Sequence, residues 1–293
     1  MSQLSPRHFA YMLAMNLVWG FNVIACKFGV GHFPPLFFTL LRFGILGVLL
    51  LPFLRWHAGV MQRLLIAAVL SGGLQYALWF LGLGLIEHVG SAAIATQLGV
   101  PFTTLMSILF LGEVVHWRRG LGITLAFTGV AVIAFQPGGF GSRTGIALVI
   151  ASTLAGSLGL VAVKSLGARL QPLELQAWFA WSSLPLLGFL SLLLERGQLH
   201  SLATASALDW GALVYATVPA SLVAHTGFYW LLHRYPVTTI QPMTLLAPVF
   251  SVALGVLLLG EHLSVRIVLG GLMTLGGVLI IALRQRTLAA ARA

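Results

Sequence analysis

Polar and aromatic side chains recur one helical turn apart inside long apolar runs, and these are the places where chemistry could sit. Asn16, Trp19 and Asn22 are spaced by three, so a helix puts them on one face. Gln75 and Trp79 are spaced by four, with Tyr76 beside them. Thr96 and Gln97 precede Pro101, and Gln241 and Thr244 precede Pro248. Further along come Ser157, then Trp178, Trp181 and Ser182, then a stripe of Ser221, His225 and Tyr229. The set holds aromatics, amides and hydroxyls and no carboxylate. Aromatic walls stack on planar apolar groups and attract an ammonium through the ring face. Amides and hydroxyls can hold a carboxylate without adding net charge. The combination points to non-covalent recognition of a neutral zwitterion or a similar neutral metabolite.

Each of these residues also has a packing explanation. Ser and Thr can bond back to their own helix. Trp and Tyr at helix ends anchor the membrane–water interface, as expected of Trp56, Trp117 and Trp210. His225 is the better candidate, because its stripe is polar and lies mid-run. Lys27 and Arg42 also fall within apolar runs. Both could snorkel outward, or they could serve as gate groups, with Arg42 a carboxylate contact.

Catalytic signatures are missing. The chain has no His-Glu-x-x-His, no Gly-x-Ser-x-Gly, no paired acids inside a run and no phosphate-binding glycine loop. No catalytic residue, metal site or cofactor is expected, and an intramembrane enzyme is the weakest class. The single cysteine, Cys26, excludes an intrachain disulfide. The six acids, Glu87, Glu113, Glu174, Glu195, Asp209 and Glu261, all fall near run ends. None is placed to carry protons mid-run, which favours facilitated movement down a gradient over proton coupling, with His225 the one coupling candidate.

The elements that must position these residues are membrane helices. Of 293 residues, 59% are apolar and 8% charged, against about a quarter charged in a soluble domain. A mean hydropathy of +0.99 agrees. Apolar runs near 8–30, 35–54, 62–84, 89–111, 117–135, 145–166, 173–194, 209–231, 237–259 and 265–283 predict ten spans. The first run, broken by Asn16 and Asn22, reads as a retained span rather than a cleaved signal. With both termini cytoplasmic, eleven Lys and Arg residues fall on inside segments and three on outside ones, the expected bias. That bias accounts for the net charge of +10 without nucleic acid.

The motif Leu-x-Leu-Gly-Glu occurs twice, at Leu109–Glu113 and Leu257–Glu261. Shifting 109–135 by 148 onto 257–283 matches eleven of 27 positions, including Gly122 and Gly129. Lys27 and Pro35 recur as Lys164 and Pro172, while the counterpart of Arg42 is Phe179. The expected units are therefore residues 1–137 and 138–293, five spans each. An odd number of spans per unit makes the repeat inverted. Gly112-Glu113 and Gly260-Glu261 read as helix-end devices, Gly for a left-handed stop and Glu for the start of the next helix. Small faces at Gly122, Ala126 and Gly129 and at Gly270, Thr274 and Gly277 mark the fifth and tenth spans as scaffold. Pro101 and Pro248 are candidate hinges.

Together "NLVWGFNVIACKFG" (Asn16–Gly29), "LLRFG" (Leu40–Gly44) and both "LGE…R…G" closures resemble the drug/metabolite transporter superfamily in its ten-span form of two EamA-type repeats. The resemblance covers nearly the whole chain and is nearest in kind to the YddG-type aromatic amino acid exporters. It implies a basket of ten helices around a central cavity. It also implies export of neutral, chiefly aromatic, amino acids by alternating access across the bacterial inner membrane, with the amino acid and the lipid bilayer as partners. An EamA-type exporter of another small metabolite or drug is the alternative. Ten spans can enclose a cavity in one chain, so a monomer is expected.

Overall fold

Backbone in hydrocarbon must satisfy its own N–H and C=O groups, so these apolar runs become helices. The computed structural model describes residues 5–111, 117–134, 140–165, 170–232, 234–235 and 240–290, and among them there is no strand. The apolar helices are α1 (Pro6–His32), α2 (Pro35–Leu49), α3 (Met61–Leu85), α4 (Val89–Thr96 and Gly99–Leu111) and α5 (Trp117–Ala134). They continue as α6 (Phe140–Ser165), α7 (Pro172–Leu194), α8 (Ala207–Tyr215, Ala216–Ala224 and His225–Leu232), α9 (Leu246–Leu259) and α10 (Val265–Ala290). Among the described residues, α1, α3, α4, α6, α7, α8 and α10 are long and apolar enough to cross a membrane; Pro35–Leu49, Gly120–Ala134 and Met243–Leu259 are shorter apolar helices.

Prolines and caps set several ends. Ser5 caps α1 by accepting from the His8 N–H at 3.3 Å, and Pro6 takes the first helical position. The run expected over 35–54 leaves the helix at Leu49, because Pro52 has no N–H to continue the ladder. A short helix, Gln198–Thr204, joins α7 to α8 without an apolar run to announce it.

α3 and α8 are each wound loosely at the centre. Val69–Leu74 of α3 and Ala216–Ala224 of α8 are π-helical. In α8, Pro219 cannot donate to the ladder. The Ser221 hydroxyl then donates five residues back to Ala216 O at 2.8 Å. Wide turns of this kind leave carbonyls available to side chains. The fourth and ninth helices are interrupted instead. α4 breaks at Gln97–Leu98, two residues before its second segment reaches Val100 and Pro101, and a 3-10 turn over Gln241–Leu245 precedes α9 and Pro248.

α5 and α10 pack against each other through the small faces anticipated from the repeat. A Cβ on Gly129 would lie 2.5 Å from Gly270 O, and one on Gly277 would lie 2.5 Å from Gly122 O. Thr274 Oγ1 reaches Ala126 O at 3.4 Å. Low numbers on one helix thus meet high numbers on the other, so the pair is antiparallel. Ala126 and Thr274 are repeat equivalents, and they touch each other at the crossing.

Gly260 ends α9 in the left-handed conformation, φ 65°, as expected. Glu261 corrects the reading of its role: it caps α4 rather than the helix that follows it. Its Oε1 accepts from Val89 N at 2.7 Å. Glu113, its counterpart, lies outside the described residues. Glu195 does similar work across helices, accepting from Leu36 N at 2.7 Å and Phe37 N at 2.9 Å at the start of α2.

The largest buried cluster includes Phe33, Phe38, Phe80, Leu83, Ile86, Ile94 and Leu98, and joins α1–α4 to α5, α6, α8 and α10. The candidate site lies against it.

Candidate functional site

α2 carries Arg42 seven residues, about two turns, inward from Pro35. The side chain does not snorkel; the residue is only 3% exposed. Its Nη2 donates to Ser221 Oγ of α8 at 2.6 Å, and its guanidinium carbon sits 5.3 Å from the Tyr76 ring centroid and 5.6 Å from that of Phe80. Nη1 is 3.9 Å from Cys26 Sγ, and Nε has no hydrogen-bond partner. Among the described residues the ion pairs within 4.0 Å are His32–Asp209, Arg55–Glu174 and His57–Glu174, so no carboxylate faces Arg42. An arginine cannot shed its proton in a protein, and a charge moved out of water costs several kcal/mol unless paired, roughly speaking. Two ring faces and one hydroxyl offset part of that. The unspent donors form a fork shaped for a carboxylate.

Beside it, α1 and α8 meet through Trp19 and His225. The Trp19 Nε1 donates to Ala220 O at 3.2 Å, and His225 Nδ1 lies 2.8 Å from the same carbonyl. A carbonyl only accepts, so the proton of His225 is on Nδ1. The rings of Trp19 and His225 are 5.2 Å apart, edge to face, with Phe228 5.6 Å from Trp19. The carbonyl they share lies within the π-helical stretch of α8.

α3 supplies the aromatic wall. Tyr76 is edge-on to Phe43 at 4.9 Å and stacked toward Phe80 at 6.4 Å. Trp79 packs on Phe80 at 4.8 Å and donates to Thr96 Oγ1 at 3.0 Å, which itself bonds back to Ala92 O. Gln75 lies against Gly156 of α6. Gln97 sits at the α4 break. In α1, Asn22 Oδ1 accepts from Cys26 Sγ at 3.6 Å, while Asn16 is fully buried and donates to its own helix at Met12 O.

The fold therefore brings Arg42 together with Tyr76, Phe80, Cys26 and Ser221, and brings Trp19 to His225 on the same stretch of α8. Two expected residues are elsewhere. Lys27 turns sideways, donating to Leu83 O at 2.9 Å and to Ile86 O, and so caps the end of α3. Trp178 stands at the other end of α3, near Met61 and Leu64. Its indole donates to Arg55 O at 2.9 Å beside the Trp56 ring. The side chain of Tyr229 lies outside the described residues. Phe80 and the Ala220 carbonyl are members that sequence reasoning missed. The phenylalanine looked like ordinary core, and a backbone carbonyl used by side chains has no letter in the sequence.

The model of the EamA-like transporter family matches residues 8–135 and 143–283. A protein of Escherichia coli (strain K12) named "Probable amino-acid metabolite efflux pump" is 28% identical over 275 residues, 92% of this chain and 90% of that protein. One of the same name from Salmonella typhimurium (strain LT2) is 29% identical over 282 residues, 92% of this chain and 91% of that protein. A crystal structure sharing 21% identity superposes with a TM-score of 0.65, covering 95% of this chain and 97% of its own; it speaks to the fold alone.

Proposed function

The chain belongs to the EamA-like transporter family, a multi-pass membrane transporter, and from that premise we propose that it exports neutral amino acids, aromatic ones foremost. The observation that carries this reading is the buried guanidinium of Arg42, held between Ser221 and two aromatic rings and facing no carboxylate among the described residues. A substrate carboxylate completes it. The charge-assisted fork orients the amino acid. Trp19, Tyr76, Phe80 and Trp79 receive a planar side chain, and Asn22, Gln97 and the ring faces receive the ammonium. His225, fixed by Ala220 O, sets the position of Trp19. The names of the two amino-acid efflux relatives favour the same substrate class.

Movement follows from ten spans in two inverted units, residues 1–137 and 138–293, with both termini cytoplasmic. The antiparallel α5–α10 pair, with equivalents Ala126 and Thr274 in contact, supports that symmetry. In this scheme the α5–α10 pair is the static scaffold. The breaks before Pro101 and Pro248 and the loose turns of α3 and α8 bend, exposing the site to one side at a time. The described acids sit at helix ends, Glu195 and Glu261 as caps and Glu174 in ion pairs. That favours facilitated transport over proton exchange. One chain supplies every group named, which favours a monomer.

The test is uptake of labelled phenylalanine, tryptophan and threonine into liposomes holding only this protein, with no imposed ion gradient. Saturable uptake, aromatics ahead of threonine and lost in Arg42→Gln, is the expected result. If no amino acid moves, with or without a pH gradient, the substrate class is wrong. The alternative, an exporter of another carboxylate metabolite, is favoured if phenylpropionate, which lacks the ammonium, competes as well as phenylalanine.

A further inference from the structure

The flank of α8 turned away from this site carries a separate cavity. Ser221 and His225 face Arg42 and Trp19. Val223 and Trp230, around the helix from them, are 55% and 40% exposed. Between that flank, the first turns of α1 and the start of α7 lies a groove of about 540 Å³, lined in part by His8, Tyr11, Leu173, Val223, Thr226 and Trp230. Its size falls within the roughly 300–1,000 Å³ of small-molecule sites. Trp230 stands edge-on to His8 at 5.1 Å and to Tyr11 at 6.1 Å, and Thr226 Oγ1 is buried without a partner.

The end of the groove is basic. Arg234 lies over the Trp230 ring, 3.8 Å from its centroid. Arg7 sits in the first turn of α1, and both arginines are exposed. His8 Nδ1 meets Tyr235 Oη at 2.6 Å, tying the two arginine-bearing segments together. The acid that neighbours the groove, Glu174, is already engaged by Arg55 and His57.

We propose that this groove binds one anionic phospholipid, with an acyl chain along Tyr11, Val223 and Trp230 and its phosphate at Arg7 and Arg234. An apolar slot opening sideways from a membrane helix meets lipid tails. Arginines beside a ring of Trp, Tyr and His are placed at headgroup depth, where basic residues attract anionic lipid. The arginine fork suits phosphate oxygens, whereas a choline headgroup adds a positive charge that these residues repel. A soluble substrate fits less well, because neither Arg42 nor Trp19 lines the groove.

Native mass spectrometry of the purified full chain, titrated separately with phosphatidylglycerol and phosphatidylcholine of identical acyl chains, tests this. The wild type is expected to hold one phosphatidylglycerol in preference to phosphatidylcholine. The pair Arg7→Gln and Arg234→Gln should cut that preference at least about fivefold. Val223→Trp, which fills the groove from its lipid side, should weaken both lipids, with thermal melting showing that each variant is folded. Equal retention of the two lipids, or a preference untouched by the arginine pair, overturns the proposal. Displacement of the lipid by millimolar phenylalanine also overturns it, giving the groove to the transport path.

Discussion

Arg42 and Arg55 show what surroundings do to the same side chain. Arg55 is 68% exposed and 3.6 Å from Glu174, an arrangement that water screens and that contributes little. Arg42 is buried with a hydroxyl and two rings for company. Its burial weakens the empty protein, and in the proposed reading it serves when an anion arrives. Replacing it with an apolar residue should therefore separate stability from function. Arg42→Met is expected to melt no lower than wild type, and by a few degrees higher, while transport is lost. Arg42→Lys keeps the charge and loses the fork, so KM for phenylalanine should rise at least about tenfold. A melting temperature that falls steeply in Arg42→Met would instead mark a structural role. The sequence exposed Arg42 as a charge out of place. It could not supply Ser221 as its partner, 179 residues away, because that contact depends on how α2 and α8 lean together. Trp178 shows the opposite limit: its spacing suited a cavity wall, but its nearness to Pro172 at the start of α7 leaves it at the Arg55 turn.

Elements carry the next level. Among the described residues each expected apolar run holds a helix, since length and composition decide that, yet hydropathy could not show where α3 and α8 loosen. Gly72 and Gly73 in one and Pro219 in the other are the only marks. Pro219→Ala would restore a backbone donor and favour ordinary winding of the stretch that presents the Ala220 carbonyl to Trp19 and His225. Transport is expected to slow severalfold with little change in melting, and a flux equal to wild type would leave the loose turn without a role. The motif at Gly260-Glu261 was legible as a helix end. Its true target was not, because Val89 is 172 residues away. Glu261→Ala strips a cap from α4 and should cost about 1 kcal/mol, read as a lower melting temperature, with Glu261→Gln recovering much of it. Gly129→Leu would force α5 off α10 and cost about 1–3 kcal/mol by overpacking, leaving KM unchanged if that pair is scaffold.

At the scale of the molecule, the repeat in sequence and the antiparallel meeting of α5 with α10 are the two observations behind the proposed scheme of two halves of opposite orientation around a site reachable from either face. Cysteine labelling on a Cys26→Ser background should find both termini reactive from the cytoplasmic side and position 197, between α7 and α8, reactive from the outside. Termini on opposite faces would break the ten-span scheme. The central claim is narrower, that Arg42 recognises the carboxylate of a transported amino acid. Counterflow of labelled phenylalanine tests it most directly, with unlabelled phenylalanine, or phenethylamine, its carboxylate-free analogue, loaded inside liposomes. Phenylalanine should drive exchange in wild type, phenethylamine should not, and Arg42→Gln should exchange neither. Exchange driven equally by phenethylamine, or wild-type exchange in Arg42→Gln, would contradict the account.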